Sequence, residues 1–231
     1  MNIICIIPAR GGSKGLPGKN TIDFCGKPLI TWSIDQAHES KYIGGVFVST
    51  DDMVDITIAS ERAGARVIKR PDELSTDTSS SEDAIKHAIK TIEKDYDWYC
   101  PIDYIVFLQC TSPVRLTSDI DEAIEMIIKE EADSLMSVSP FFHLCAWTKH
   151  EDGSFTPLGH DIDNRKPRQV TDHNFFDNGS IYIFKPEVLK KYNNRLGGKI
   201  ILYEMPLARG FEIDDKETLN ICRTFMKQEV L

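Results

Sequence analysis

The sequence predicts an α/β fold in which a largely parallel sheet is covered by helices. Two observations carry this prediction. Strand and helix patterns alternate along the chain, and the first strand, Ile3 to Ile7, is a continuous, mostly β-branched run of the kind buried on both faces. A third sets the scale: 231 residues, 41% hydrophobic and 27% charged, suffice for one substantial core, with no repeat, linker or low-complexity tract to divide it. Residues 1–231 are therefore expected to form a single domain.

After the first strand comes a Gly-rich turn, and Pro28 is well placed in the first turn of a helix running to about Ser40. Gly44-Gly45 reads as a turn before a second strand at Val46 to Ser49, and Arg66 to Lys69 as a short third strand ended by Arg70-Pro71. Ser79 with Glu82 three residues later predicts a capping box, opening a helix whose apolar face is Ile85, Ala88, Ile89 and Ile92. Tyr104 to Gln109 is a strongly apolar strand that Thr111-Ser112-Pro113 ends. Ser118 is expected to cap a helix carrying the stripe Ile120, Ala123, Ile124, Ile127 and Ile128. Later strands are expected at Ser134 to Val138, Ser180 to Phe184 and Lys199 to Glu204.

Residues 140–179 break this rhythm. They hold Phe141, Phe142, Trp147, Phe155, Phe175 and Phe176, six of the 21 aromatics, among Gly, Pro and Asp/Asn turn signals. Such an insertion is either a lid on its own domain or an arm packed on a second subunit, and the arm is the expectation.

Charge excludes some functions. Thirty-six acidic against 27 basic residues leave a net charge of −9, which opposes unspecific attraction to nucleic acid or an anionic membrane. The first apolar run stops at Pro8, far short of the ~20 residues of a membrane span and without a signal peptide's basic lead-in, so a cytoplasmic location is expected. The six cysteines lack zinc-site or redox spacing and are read as free thiols. A polyanionic ligand must therefore meet a local basic patch. Pro8 to Asn20 supplies one: Arg10, Lys14 and Lys19 with no acid, threaded with Gly11, Gly12, Gly15 and Gly18. The spacing is neither that of a P-loop nor that of a dinucleotide fingerprint. Its position after a buried strand nevertheless points to phosphate, since glycines let backbone N–H groups approach while the cations neutralise oxygens.

These residues also carry a resemblance. Pro8-Ala-Arg-Gly-Gly-Ser-Lys-Gly with Lys19-Asn20 resembles the signature of the CMP-sialate synthetases, the acylneuraminate cytidylyltransferases. Further matches are Gly26-Lys-Pro-Leu29, Ser49-Thr-Asp-Asp52, Arg70-Pro-x-Glu-Leu74, Asp77-Thr-Ser-Ser-Ser81, Leu108-Gln-x-Thr-Ser-Pro113, Pro167-Arg-Gln169 and Asn178-Gly-x-Ile-Tyr182. The resemblance implies a Rossmann-like sheet of the nucleotide-diphospho-sugar transferase type with an inserted dimerisation arm. It implies that CTP and a nine-carbon α-keto acid sugar, most readily N-acetylneuraminate, give the CMP-sugar and pyrophosphate, with legionaminic or pseudaminic acid as the alternative acceptor. Magnesium and a homodimer are implied as well. A different class, a non-catalytic nucleotide-binding protein on the same fold, remains a rival, because fold alone does not fix function.

Carried over by position, Arg10, Ser13, Lys19 and Asn20 would bind nucleotide and phosphates, and Arg70 and Ser81 the cytidine. Gln109, Arg168 and Asn178 would face the sugar, with Arg168 pairing its carboxylate as a guanidinium can. Lys19, Arg10 and Asp214 would serve catalysis, with Asp214 holding the metal. Asp51 and Asp52 read as turn and cap residues. The chain departs from the family pattern at Cys110, where a proline is common, and at Phe176, where several members have arginine. The acidic motif reads Glu212-Ile-Asp-Asp215, leaving Glu212 or Asp215 as the second carboxylate; strand alternation favours Glu212. No general base is evident.

Overall fold

The computed structural model describes residues 1–13, 15–76, 78–140, 146–158, 161–163 and 174–231. In chain order the elements are β1 (Ile3–Pro8), β2 (Asp23–Phe24), β3 (Lys27–Pro28), α1 (Leu29–Glu39), β4 (Ile43–Thr50), α2 (Asp55–Arg62), β5 (Arg66–Lys69) and α3 (Ser81–Asp95). There follow β6 (Tyr104–Leu108), α4 (Thr117–Lys129), β7 (Ser134–Pro140), β8 (Ala146–Lys149), β9 (Phe155–Leu158), β10 (Phe175–Phe184), α5 (Pro186–Tyr192), β11 (Ile200–Glu204) and α6 (Lys216–Glu229).

Seven strands form one sheet in the order β11-β7-β10-β6-β1-β4-β5. All pairings are parallel except those of β10, which runs against β6 and β7. β1, buried from Ile3 to Ile7, is flanked by β6 and β4, so the strand order reverses there, and the crevice beyond its carboxyl end is where such sheets bind ligands. One face of the sheet packs Ile3, Cys5, Ile7, Val46, Val48 and Val106 against Ile30, Ile34, Ile120 and Ile124. The other packs Ile4, Ile6, Phe47 and Phe107 against Ile85, Ile89 and Ile92 of α3 and Val188 and Leu189 of α5. A third cluster joins Leu16 of the Gly-rich turn to Phe24, Leu29, Ile213 and, on α6, Leu219, Cys222 and Met226. It fastens that turn to the C-terminal helix.

Four local expectations are corrected. Gly44-Gly45 lies inside β4, at a bulge opposite Ile3/Ile4; Gly45 is required there because a Cβ would stand 2.7 Å from the Tyr99 ring. The helix cap is Ser80, whose Oγ accepts from Asp83 N at 3.1 Å, while Ser79 bonds Thr76 and Glu73 instead. At α4 the cap position is Leu116 and Ser118 lies inside the helix; the side chain of Asp119 reaches back to accept from Leu116 N at 2.7 Å. Asn178-Gly179 is an irregularity within β10, which begins at Phe175, five residues before the expected Ser180.

Within 140–179 the described residues include the start of β10 and the β8–β9 hairpin, a separate two-stranded sheet that exposes Trp147, Phe155 and Leu158 by 51%, 59% and 63%. Phe141 and Phe142 lie outside the described residues. Among the described residues the cysteines are free thiols, with Cys5, Cys110 and Cys222 buried, and no helix is long and apolar enough to cross a membrane.

Candidate active site

The carboxyl ends of β1, β5 and β6 bring Arg10, Arg70 and Gln109 to one crevice. Leaving β1, the chain is held by Ala9 N donating to Ser49 O at 3.0 Å and by Gly11 N donating to Asp51 Oδ1 at 3.0 Å. Asp51 thus pins the Gly-rich turn, a larger part than the turn residue expected. Asp52 is the expected cap, accepting from Val54 N and Asp55 N at the start of α2. Asn20 Nδ2 donates to Arg10 O at 2.9 Å, closing the turn on itself.

Arg10, Arg70, Ser81 and Gln109 line one cleft of about 290 Å³, together with Thr76, Ser79 and Phe107. A larger hollow of about 620 Å³ lies between α1 and α2, lined by Asp35, Ile58 and Arg62, and contains none of the predicted site residues. Arg70 is 5% exposed and rests on the end of β4, its Nε donating to Ser49 Oγ at 3.1 Å and its Nη2 to Ser49 O. Burial lowers its pKa, an effect that the Asp51 carboxylate opposes. Since Ser80 takes the helix cap, Ser81 contributes to the cleft wall. Ser13 is half-buried in the turn.

A second group gathers beside this cleft. Lys19 Nζ donates to Ile213 O at 2.9 Å and to Asp214 Oδ1 at 3.2 Å, its side chain 15% exposed against 71% for Asp214. Gly15 must be glycine, because a Cβ would stand 2.5 Å from Asp214 O. The turn and residues 213–214 are therefore in backbone contact. Glu212 reaches the other side: a Cβ on Gly179 would lie 1.4 Å from its Oε1, so Gly179, at φ +64°, admits that carboxylate. Gln109 Nε2 donates to Gly179 O at 2.9 Å, joining the two groups.

Glu212 has its pKa pushed up to about 7, chiefly by burial and then by the Asp214 and Asp177 carboxylates, with Lys19 and Arg115 opposing. A hard dication would relieve the repulsion between the half-buried Glu212 and the Asp214 carboxylate. Among the described residues no group of three or more His, Cys, Asp or Glu is arranged to hold a metal, but magnesium needs only one or two carboxylates beside substrate phosphates. Asp215 is otherwise engaged: its carboxylate caps α6, accepting from Thr218 N at 2.8 Å.

Asn178 departs from expectation. It is 1% exposed, with Oδ1 accepting from Ser137 Oγ and Ser180 N and Nδ2 donating to Ser139 Oγ, so it locks β10 to β7 instead of facing the cleft. Arg168 lies outside the described residues. Two residues went unforeseen: Ser49, the seat of Arg70, and Arg115, fully buried behind Gln109. Ser49 opens the matched Ser49-Thr-Asp-Asp52 segment but nothing local tells of its bond to Arg70, and Arg115 gathers partners from Ser33, Gln36 and Ser180, 65 or more residues away.

Comparison with known proteins decides the family. The profile described as Cytidylyltransferase matches residues 4–191, most of the chain. The chain belongs to the cytidylyltransferase family. It is 36% identical over 216 residues to an N-acylneuraminate cytidylyltransferase of Oncorhynchus mykiss, covering 92% of this chain and 48% of that protein. It is 28% identical over 239 residues to post-translational flagellin modification protein B of Campylobacter coli, covering 99% of this chain and 97% of that one. The chain thus spans about half the length of the first relative and nearly all of the second. In fold it is similar to a CMP:2-keto-3-deoxy-manno-octonic acid synthetase complexed with CTP, at a TM-score of 0.73 and 19% identity over the whole of both chains. The mostly parallel sheet with flanking helices is the one expected of this family. The profile takes in the Gly-rich turn, Arg70, Gln109 and β10, but ends before Glu212 and Asp214.

Proposed function

We propose that this chain transfers CMP from CTP to the anomeric hydroxyl of a nonulosonic acid, with N-acetylneuraminate as the expected acceptor. The observation that carries the reading is the convergence of Arg10, Arg70, Ser81 and Gln109 on one cleft, with Lys19 and Asp214 beside it, in a chain of the cytidylyltransferase family. The acceptor follows from similarity to N-acylneuraminate cytidylyltransferases. A single domain over 1–231 with an arm at 140–179 belongs to the same proposal.

In this reading the anomeric oxygen attacks the α-phosphorus, a new P–O bond forms, the bond to the β-phosphate oxygen breaks, and pyrophosphate departs with that electron pair while the hydroxyl proton passes to solvent. Catalysis is chiefly positioning and charge neutralisation. Glycine N–H groups, Ser13 and Asn20 surround the phosphates, Arg10 and Lys19 offset their charge, and Arg70 and Ser81 border the base. Magnesium, held by Asp214 and Glu212, would supply further neutralisation of phosphate oxygens when bound. Gln109 and Arg168 serve the sugar side, Arg168 as partner of its carboxylate.

A homodimer is part of the proposal. Trp147, Phe155 and Leu158 stand exposed on a two-stranded hairpin apart from the main sheet, and such a hairpin is marginal alone, so a second copy is the expected support. A second acceptor reading, legionaminic or pseudaminic acid, draws on the near full-length similarity to the Campylobacter flagellin modification protein and on Cys110 and Phe176. Pyrophosphate release with CTP and a panel of these acids separates the two: the larger kcat/KM names the acceptor. CTP binding without turnover on any of them would favour the non-catalytic rival.

A further inference from the structure

Arg115 is 0% exposed and is among the largest fully buried side chains in the protein. Its guanidinium makes five hydrogen bonds to neutral acceptors: Nε to Gln36 Oε1, Nη1 to Ser180 O and Oγ, and Nη2 to Ser33 Oγ and Gln109 O. Gln36 in turn donates from Nε2 to Pro113 O at 2.9 Å and Arg115 O at 2.8 Å, fixing the backbone that carries the arginine. None of these partners is a carboxylate. A buried charge without an ion pair is costly, and apolar side chains of similar volume commonly serve stability as well or better. Stability alone does not account for a cation here.

Its partners suggest what it does. Gln109 O lies just beyond β6, and Ser180 O lies just after the Asn178-Gly179 irregularity of β10. One planar fork therefore fixes the separation of two antiparallel strands where they border the crevice. The same two places are tied a second time by Gln109 Nε2 donating to Gly179 O at 2.9 Å. Gly179 is also where Glu212 seats its carboxylate. An ammonium could carry the charge but could not span three elements with fixed directions.

We infer that Arg115 is a positioning residue: its fork joins the exit of β6 to β10, thereby aiming the Gln109 side chain and the Gly179 seat of Glu212 at the acceptor side of the crevice. The inference deepens the proposed transfer to a sugar acid and rests on it for the identity of the acceptor. The geometric part stands on the hydrogen bonds alone.

The test compares Arg115→Lys with the unaltered protein by two independent measurements. The first is hydrogen exchange of the Gln109 side-chain amide by NMR, made without substrate. The inference expects exchange at least about tenfold faster in a variant that still melts cooperatively. The second is steady-state turnover with CTP and N-acetylneuraminate. The KM for sugar should rise about tenfold and kcat should fall, with the KM for CTP within about threefold, since small misplacements of a substrate-positioning group are costly. Unchanged amide protection, or equal rises in both KM values, would overturn the inference. Should Arg115→Lys not fold, Ser33→Ala removes one bond of the fork and leaves the cation; both readouts should move in the same direction, and no movement overturns the inference. Absence of turnover in the unaltered protein would count against the proposed function, while the amide measurement would still decide the role of Arg115.

Discussion

Replacing Lys19 by alanine removes the ammonium that joins the Gly-rich turn to residues 213–214, and the size of the effect follows from its setting. With 15% side-chain exposure and bonds of 2.9 and 3.2 Å, Nζ is already fixed before any phosphate arrives. A unit charge about 4 Å from a phosphate oxygen, at an effective dielectric of about 20, contributes about 4 kcal/mol before desolvation is deducted. A single preorganised donor to developing charge is worth about 2.7–4 kcal/mol, or roughly 10²–10³ in rate. The two figures agree, so kcat/KM in pyrophosphate release should fall by about 10²–10³. The stability cost should be only about 1 kcal/mol, because Asp214 is mostly exposed and the Ile213 carbonyl is the principal loss. The assay is pyrophosphate release with CTP and N-acetylneuraminate, with thermal melting to confirm folding. A folded Lys19→Ala variant within about threefold of full kcat/KM would refute this use of the turn.

Gly15→Ala should weaken CTP binding more than it destabilises the fold: its methyl would meet Asp214 O at 2.5 Å, and such overpacking costs about 1–3 kcal/mol. Calorimetric titration with CTP and a melt give the two numbers. Asp214→Asn should fold and lose most turnover at ordinary magnesium, while Asp215→Asn keeps activity and, because asparagine caps as well as aspartate, also keeps the α6 cap; equal activity losses in both would remove the distinction. Sedimentation at micromolar concentration should give a dimer, and Trp147→Lys should shift it toward monomer; a monomer in the unaltered protein would contradict the role given to the hairpin.

The strands and helices were largely legible because their signals are local and periodic. Ile3–Ile7 needs only its own run, and the apolar stripes on α3 and α4 need only their helical period. Errors arose where several residues competed for one task. Ser79 and Ser80 both stand before a helix with an acid three residues on, and only backbone geometry chooses Ser80. Gly44-Gly45 looks like a turn, but the demand came from Tyr99, more than 50 residues away, whose ring occupies the space of a Cβ. Within the site, the Gly-rich turn was readable because charge and glycine concentrate in one short segment. Asn178 was misjudged because its amide is consumed by Ser137, Ser139 and Ser180, contacts that only strand pairing creates. Arg115 was invisible because its partners on α1, on β10 and just beyond β6 meet only in the folded chain.

The most direct test of the central claim is pyrophosphate release by the purified chain, with each of the four nucleoside triphosphates offered against N-acetylneuraminate, legionaminic acid and pseudaminic acid in the presence of magnesium. The account predicts turnover with CTP far above the other three, dependent on the sugar acid, and highest with N-acetylneuraminate. Preference for ATP or GTP, or pyrophosphate release that does not depend on any of these sugars, would contradict it.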